Sequence, residues 1–199
     1  MICIIDYGVG NLFSLKSSLA HLGLEAKVSA DAADIRAADR LILPGVGAFG
    51  DAMAKLEATG LVPVIREEAA KKPLLGICLG MQLMCRHSEE GDADCLGIFD
   101  TDVKRFRPQC HADKVPHMGW NSLEAVAPCA LLEGIEPMAE YYFVHSYYVP
   151  VNEHTVATTD YILPFSAAMQ KDNFFATQFH PEKSQAVGQR LLKTFVEAA

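Results

Sequence analysis

The chain has 199 residues, of which 50% are hydrophobic and 21% are charged. This length suits one domain covering residues 1–199, and the composition is that of an ordinary globular protein, which excludes disordered, fibrous and collagen-like classes. The net charge of -8 opposes the phosphate contacts on which nucleic-acid binding depends. We therefore predict one globular domain with no nucleic-acid partner.

The ends and apolar runs of the chain give no sign of a membrane. No apolar run approaches the roughly 18 residues that a membrane-spanning helix needs. The N-terminus lacks basic residues and reaches Asp6 too early for a signal peptide. We therefore expect a cytoplasmic location. Six cysteines are present, and because a core of this size needs no crosslinks, we expect all six to be free thiols.

The first half of the chain alternates apolar, strand-like runs with amphipathic helical stretches, as parallel strands joined by helices do. Leu12, Leu15, Leu19 and Leu22 recur at helical spacing, and Gly23 follows as a stop signal. The pattern predicts strands at 2–6, 25–29, 40–43 and 73–78, and helices at 12–22, 49–58 and 63–71.

The second half consists of short strand-like runs separated by Pro, Asn and Gly, which indicates antiparallel strands added to the parallel sheet. We expect a surface loop at 88–94 and a closing amphipathic helix at 184–197, with Ser184 as its N-cap. The predicted fold class is α/β, with a central, mostly parallel sheet flanked by helices. The added strands are predicted at 98–106, 121–126, 141–147, 155–161, 165–171 and 174–179.

An apolar strand ends at a cysteine that lies between two glycines. The order Gly76, Ile77, Cys78, Leu79, Gly80, followed by a predicted helix, is typical of a nucleophile elbow. The glycines leave room for a sharp turn, the helix start favours the thiolate, and the Leu79 N–H can donate to an oxyanion. An isolated cysteine is more often a buried core residue, but the flanking glycines favour the nucleophile here.

A histidine suited to act as the base follows a late apolar run. Pro181 biases His180 towards extended backbone, and residues two apart in an extended segment share a side. Glu182 can therefore orient the His180 imidazole and stabilise its charged form. A solvated surface turn is an equally good interpretation of these residues alone. The presence of an elbow cysteine favours the catalytic one.

A glycine-rich loop at 44–50 follows a predicted parallel strand. Active sites of open α/β sheets form at the carboxyl ends of strands, so this loop and Cys78 are expected at one edge. Its backbone can supply a second oxyanion donor. Gly45-Val46-Gly47 is also a weak phosphate-loop signal, but the longer nucleotide-binding fingerprints are not matched.

These motifs resemble those of the class I (triad) glutamine amidotransferases, whose single-domain fold is flavodoxin-like. The resemblance rests on 76–82 and His180-Pro181-Glu182. Within that family the chain is most similar to the glutaminase subunits of imidazole glycerol phosphate synthase, an enzyme of histidine biosynthesis. The motifs carrying this second resemblance are 44–47, 116–121, 142–147 and 178–184.

The resemblance implies a catalytic triad and an oxyanion hole. Cys78 would attack the side-chain amide of glutamine, His180 would shuttle the proton, and Glu182 would orient His180. Ammonia leaves, and water hydrolyses the resulting thioester. The Leu79 N–H and an N–H of the Gly45-Val46 loop would stabilise the oxyanions, and the loop would change orientation when the partner binds its own substrate. No cofactor and no metal are implied.

The resemblance also implies a substrate pocket and a partner. The partner would be a (β/α)8-barrel cyclase subunit, which receives the ammonia in a heterodimer. Because the sequence ends at Ala199, we expect the barrel on a separate chain. The lone tryptophan, Trp120, with Met118 beside it, would be the interface anchor, although a core tryptophan is an equal alternative. The residues expected to line the glutamine pocket are Gly47, Gln82, His145, Ser146 and Tyr147.

One position departs from the family pattern, because Gln185 stands where the subfamily often has glycine.

Two other functions compete with the amidotransferase. A γ-glutamyl hydrolase or a cysteine peptidase of similar fold would use the same cysteine and histidine on larger substrates. A zinc-binding adaptor is weaker, because the candidate ligands lack paired metal-ligand spacing. Those candidates are Cys95, Cys110, His111 and His117.

Overall fold

A computed structural model of the chain describes residues 1–111, 113–134, 136 and 138–197. Helices and strands alternate over the first half, and strands dominate the second until a last long helix. The helices are α1 (Leu12–His21), α2 (Ala32–Ala37), α3 (Phe49–Ala58), α4 (Val62–Ala69), α5 (Leu79–Leu83) and α6 (Gln185–Glu197). The strands are β1 (Ile2–Ile5), β2 (Ala26–Ser29), β3 (Arg40–Gly45), β4 (Leu74–Cys78), β5 (His87–Ser88), β6 (Ala93–Asp94), β7 (Asp102–Arg105), β8 (His117–Ser122), β9 (Glu124–Ala125), β10 (Glu140–His145), β11 (Tyr147–Tyr148), β12 (Thr155–Tyr161), β13 (Leu163–Lys171) and β14 (Phe174–Thr177).

An eight-stranded sheet in the order β2-β1-β3-β4-β14-β13-β12-β9 forms the centre. The strands from β2 to β14 in that order are parallel neighbours, and the remaining three strands are added antiparallel. A β10-β8 pair and a small sheet in the order β11-β7-β5-β6 lie beside it. The predicted α/β class, with a parallel sheet extended by antiparallel strands, is confirmed.

Helices cover both faces of this sheet, because successive side chains of a buried strand point to opposite faces. In β1, Cys3 and Ile5 pack into a core that includes Phe49 of α3 and Ile65 of α4. Ile4 of the same strand packs into the other core. That second core includes Leu15 and Leu19 of α1 and Leu191 and Phe195 of α6. This arrangement explains why the inner parallel strands β1 and β4 are continuously apolar in sequence.

The first helix begins and ends close to its predicted bounds. Leu15 and Leu19 are buried, as their spacing predicts, and Gly23 adopts a φ of +73° beyond the helix. Its N–H donates to the Ala20 carbonyl, which satisfies one of the unpaired groups at the helix end. The prediction of 12–22 as a helix stopped by Gly23 is confirmed.

Strand β3 does not end at Leu43, as predicted, but continues through Pro44 and Gly45. The pairing of β3 with β1 stops at Ile42, so the missing N–H of Pro44 breaks no bond on that side. The Pro44 carbonyl instead accepts a hydrogen bond of 2.7 Å from the Tyr7 hydroxyl. This hydrogen bond joins residues far apart in the chain, so the sequence pattern could not indicate it.

Several predictions for the second half are wrong in detail. Strand β14, predicted among the antiparallel strands, pairs antiparallel with β13 on one side but in parallel with β4 on the other. The strand predicted at 98–106 is only Asp102–Arg105, because the N–H groups of residues 96–99 bond carbonyls of Leu83, Met84 and Cys85 around the end of α5. The loop predicted at 88–94 contains part of the short β5-β6 hairpin.

The closing helix is correct, but its predicted N-cap is not. Ser184 precedes α6, yet its hydroxyl donates to the His180 carbonyl and accepts from the Tyr142 N–H. Gln185, the first residue of α6, has a φ of +52°, a left-handed conformation that favours glycine. This conformation gives a physical reason for the glycine that the family resemblance leads us to expect at position 185.

The turn from β4 into α5 requires glycine at two positions. A Cβ on Gly80 would lie 1.8 Å from the Leu43 carbonyl oxygen, and one on Gly76 would lie 2.5 Å from the Met84 sulfur. The two glycines therefore allow the first turn of α5 to pack directly against β3 and β4. The predicted clash of bulkier residues at this elbow is confirmed.

We expect Gly80→Ala to lower the free energy of unfolding by about 3 kcal/mol or more, because its Cβ would meet backbone rather than a movable side chain. Urea denaturation measures the change. Gly50→Ala in α3 is the matched control, since nothing lies within 4 Å of its Cβ, and it should remain within about 1 kcal/mol of the parent. Equal stability of the two variants would contradict the packing described here.

Candidate active site

Cys78 lies where two parallel strands end beside each other. It is the last residue of β4 and pairs in register with Gly45, the last residue of β3. Its φ of +55° is rare for a residue with a side chain and is held by the close packing of α5. The nucleophile candidate and the glycine-rich loop therefore meet at the carboxyl edge of the sheet, as expected.

His180 and Glu182 form a buried hydrogen-bonded pair. The His180 Nδ1 lies 2.9 Å from Glu182 Oε1, and the two side chains are 1% and 3% exposed. Burial disfavours the charged imidazolium, but the neighbouring Cys78 sulfur and the Glu182 carboxylate outweigh burial and raise the pKa of His180 to about 10. The raised pKa favours the protonated form of the His180 ring at neutral pH.

The other ring nitrogen of His180, Nε2, is free to interact with Cys78 or a ligand. His180 Nε2 has no hydrogen-bond partner of good geometry among the described residues, although the Cys78 sulfur is close enough to interact with the ring. The backbone of His180 is fixed on both sides, since its N–H donates to the Tyr142 carbonyl and its carbonyl accepts from Ser184. The ring is therefore positioned to exchange a proton at Nε2.

A cavity of about 580 Å³ opens above Cys78 and His180. It brings together most of the predicted site residues. Glu182 lies behind His180, and Gly45 lies below the cavity with its Cα packed against Leu79 and Tyr7. The predicted residues that line the cavity are Val46, Gly47, Cys78, Leu79, Gln82, His145, Ser146, Tyr147 and His180.

Two charged side chains in the cavity lining were not predicted. Among the residues that the structure describes, Glu90, from the hairpin loop between β5 and β6, is the one carboxylate that lines the cavity, and Lys183 is the one ammonium. Burial raises the pKa of Glu90, while the Phe49 N–H opposes that shift. Lys183 follows the His-Pro-Glu motif directly, which is a signal that could have found it. Glu90 lies in a segment whose sequence indicates only a loop.

Gln82 reaches its predicted place, but the protein already uses its amide nitrogen. Gln82 Nε2 donates to the Tyr147 carbonyl at 3.1 Å and to Gln178 Oε1 at 3.0 Å. Both of its N–H bonds are therefore committed, and only its oxygen remains for a ligand. Gln178, which also contacts Cys78, was not singled out from the sequence although it lies two residues before His180.

His145 and His117 form a second buried histidine pair. His145 Nδ1 lies 2.7 Å from the Tyr147 carbonyl, and His145 Nε2 lies 3.0 Å from His117 Nδ1. A carbonyl only accepts, so His145 donates from Nδ1 and accepts at Nε2 from His117. Burial lowers the pKa of His145 to about 3 and that of His117 to about 4. Both rings are neutral, unlike His180.

The predicted interface residues lie outside the cavity. Trp120 on β8 is 44% exposed and Met118 is 64% exposed, so Trp120 is not a core residue. The Trp120 ring meets Tyr142 edge to face at 5.8 Å, and the Lys183 ammonium lies 5.6 Å from the Tyr142 ring centre. A row of side chains thus connects an exposed tryptophan to the cavity wall.

The alternative zinc site is not assembled. Within residues 1–111, 113–134, 136 and 138–197, no group of three or more metal-ligating side chains comes together. His117 instead stacks on Tyr161 at 4.0 Å and bonds His145, while Cys110 is exposed. All six cysteines are free, as predicted.

In the described part of the chain, no helix has the length and apolar character required to cross a membrane.

Comparison with known proteins gives one consistent family. The model of the glutamine amidotransferase class-I family matches residues 3–199. Imidazole glycerol phosphate synthase subunit HisH of Bacteroides fragilis is 55% identical over 196 residues, covering 98% of each chain. The protein of the same name from Escherichia coli K12 is 48% identical over 197 residues, again covering 98% of each.

Solved structures share the fold at lower identity. A crystal structure of a glutamine amidotransferase superposes with a TM-score of 0.76 at 20% identity, covering 99% of this chain and 98% of the other. PurLQS from Thermotoga maritima gives a TM-score of 0.74 at 16% identity, covering 98% and 97%. These similarities extend over the whole sheet and both helical layers.

The neutral histidine pair predicts a loss of stability in mild acid. The unfolded chain binds protons on these rings near pH 6.5, whereas the folded chain resists until about pH 4 for His117 and about pH 3 for His145. The free energy of unfolding therefore decreases as the pH is lowered through that window, by about 1.4 kcal/mol per pH unit for each ring. Urea unfolding at a series of pH values measures the slope.

A histidine variant isolates this effect. His117→Gln keeps an N–H donor for His145 but removes one titrating ring, so the slope should decrease by about 1.4 kcal/mol per pH unit. His21→Gln, at the exposed end of α1, is the control and should keep the parent slope. An unchanged slope in His117→Gln would show that this ring is not held neutral by the fold.

Proposed function

The chain belongs to the class I glutamine amidotransferases and is a glutaminase subunit of imidazole glycerol phosphate synthase in histidine biosynthesis, and we propose that Cys78, His180 and Glu182 carry out its reaction. The observation that supports these roles is the placement of Cys78 on a strained elbow beside the buried His180–Glu182 pair. Residues 1–199 act as one amidotransferase domain.

The first half of the reaction forms a thioester. The Cys78 thiolate attacks the side-chain amide carbon of L-glutamine, and the amide π electrons move to the oxygen. When the tetrahedral intermediate collapses, the C–N bond breaks and the protonated His180 donates its Nε2 proton to the leaving nitrogen. Ammonia departs, and the γ-glutamyl group remains on the sulfur. Glu182 stabilises the imidazolium and keeps Nε2 directed at the sulfur.

The second half uses the now neutral His180 as a base. It takes a proton from water, the resulting hydroxide attacks the thioester, and the C–S bond breaks to release glutamate and regenerate the thiolate. Two N–H groups stabilise the oxyanion in both halves, one from Leu79 and one from the Gly45-Val46 loop. Leu79 is the first residue of α5, so its N–H has no partner within the helix.

The charges of the cavity suit an amino acid with a long polar side chain. Glu90 binds the α-ammonium group of glutamine, since no other carboxylate of the described residues lines the cavity. The oxygen of Gln82 accepts from the substrate, and backbone groups of Gly47, Ser146 and Tyr147 complete the pocket. His145 lines this pocket and also holds the Tyr147 carbonyl through its Nδ1.

A partner subunit receives the ammonia. We assign this role to a (β/α)8-barrel cyclase subunit, which forms a heterodimer with the chain and converts its nucleotide substrate into imidazole glycerol phosphate. Trp120 and Met118 anchor the interface, because both are large, apolar and exposed. The six free thiols support a reducing compartment, the cytoplasm.

The competing hydrolases have less support. A γ-glutamyl hydrolase or cysteine peptidase would share the cysteine and histidine, but the near-full-length relatives carry the name of a synthase subunit. An independent hydrolase would also have no use for an exposed tryptophan connected to its cavity wall.

We expect Cys78→Ala to reduce glutamine hydrolysis in the complex by about 10⁴-fold or more, because the nucleophile is lost. Glutamate release with the barrel cyclase subunit and its nucleotide measures this, and added ammonia should restore cyclase output. The fluorescence of Trp120 reports whether the complex still forms. Cys110→Ser, at an exposed thiol, is the control and should keep full activity. Glutamine hydrolysis surviving in Cys78→Ala would reject the proposed nucleophile.

We expect Glu90→Gln to raise KM for glutamine at least tenfold with a small change in kcat, because it removes the charge that pairs with the α-ammonium. Steady-state glutaminase kinetics of the complex measure both constants. Glu89→Gln is the matched control, since the neighbouring carboxylate bonds the Arg105 N–H and pairs with Lys104 outside the cavity. Equal effects of the two variants would exclude a direct role for Glu90.

A further inference from the structure

We propose that Gln178 is a further catalytic residue, which donates a hydrogen bond from its side-chain amide to the Cys78 sulfur and stabilises the thiolate. Gln178 Nε2 lies 3.7 Å from Cys78 Sγ, within hydrogen-bond range for sulfur. The inference depends on the proposed role of Cys78 as the nucleophile. Gln178 is fully buried and does not line the cavity, so it contacts the nucleophile from the protein side, away from the substrate.

The orientation of the Gln178 amide is dictated by its neighbours. Gln82 donates to the Tyr147 carbonyl, which can only accept, so the nitrogen of Gln82 is identified without ambiguity. The same nitrogen lies 3.0 Å from the Gln178 side chain, where only an oxygen can accept from it. The Gln178 nitrogen must therefore point the other way, towards the sulfur.

The chain of hydrogen bonds continues to the buried histidine pair. The Tyr147 carbonyl accepts from Gln82 and from His145, which occupies both of its lone pairs. His145 in turn accepts from His117. A directed series of donors thus leads from His117 to the carbonyl and, on the other side, from Gln82 through Gln178 to Cys78. Fixed dipoles of this kind do not reorganise during the reaction.

An amide donor at this position suits both chemical steps. A hydrogen bond to a charged acceptor is stronger than one to a neutral acceptor, so Gln178 favours the thiolate over the thiol and over the thioester sulfur. It therefore raises the fraction of Cys78 present as the attacking thiolate, and it stabilises the thiolate that leaves during hydrolysis. Unlike His180, the amide does not titrate, and its contribution is independent of proton transfer.

The competing contact of the sulfur explains the need for such a donor. The Val144 carbonyl lies 3.9 Å from Cys78 Sγ and favours the neutral thiol, which can donate to it. Gln178 opposes this preference. The titratable groups near the sulfur are His180 with Glu182, Tyr7, and the cavity-lining His145, Glu90 and Lys183.

The test is the pH dependence of Cys78 alkylation by iodoacetamide in the full chain, followed by mass spectrometry of the Cys78 peptide. Gln178→Met keeps the shape of the side chain but has no N–H, and its midpoint should move to higher pH by about one unit. In the complex with the barrel cyclase, kcat for glutamine should fall while KM is retained. Alkylation of Cys110 serves as an internal reference.

Two further variants separate this role from general destabilisation. Thr177→Val, at the residue before Gln178, loses a buried hydrogen bond to the Phe179 carbonyl that does not involve the Cys78 sulfur, and it should keep the parent midpoint. Gln178→Asn retains an amide that is too short for both bonds and should shift as Gln178→Met does, which covers a failure of the methionine variant to fold. An unshifted midpoint in the folded Gln178 variant, or an equal shift in Thr177→Val, would overturn the proposal.

The outcome is separable from that of the proposed function. Alkylation reports only on the sulfur and its donors, whereas loss of glutaminase in Cys78→Ala reports on its chemical role. A shifted midpoint with activity surviving in Cys78→Ala would reject the nucleophile and, with it, the catalytic role of Gln178. An unshifted midpoint with activity lost in Cys78→Ala would reject Gln178 alone.

Discussion

The site depends on one close approach, in which the Cα of Gly80 packs against the Leu43 carbonyl at the end of the parallel sheet. No side chain fits between them, so the first turn of α5 lies directly on β3. The chain must reverse within one residue to reach this position, and Cys78 takes the left-handed conformation that results. The same contact thus serves the stability of the fold and the proposed catalysis, because the packing of the helix holds the proposed nucleophile in a strained backbone conformation.

Three buried histidines have different protonation states because their surroundings differ. His180 faces a carboxylate and a sulfur, and these partners favour its charged form. His145 and His117 face a carbonyl, one another and aromatic rings, where burial favours the neutral form. In the proposed mechanism the charged ring transfers the proton, while His145 of the neutral pair bonds the Tyr147 carbonyl against which Gln82 and Gln178 are oriented.

The sequence predicts those parts of the molecule that local pattern determines. Apolar runs and glycine spacing predict the α/β class, the elbow at Cys78 and the pair of His180 with Glu182. What it misses depends on contacts between distant segments. Glu90 reaches the cavity only because a two-stranded hairpin folds over it, and the parallel pairing of β14 depends on β4, about a hundred residues earlier in the chain. Gln178 was overlooked because its orientation is set by Gln82 and Tyr147, which periodicity cannot indicate.

The continuation of β3 through Pro44 has a mechanical meaning. Its last register pair joins Gly45 to Cys78, and the next two residues of the chain, Val46 and Gly47, already form the cavity wall. The Tyr7 hydroxyl donates a hydrogen bond to the carbonyl of Pro44, the residue before Gly45. The glycine-rich loop and Cys78 therefore start from one register pair at the end of two neighbouring strands. The backbone of the loop is connected to Cys78 through that single pair rather than through the rest of the sheet.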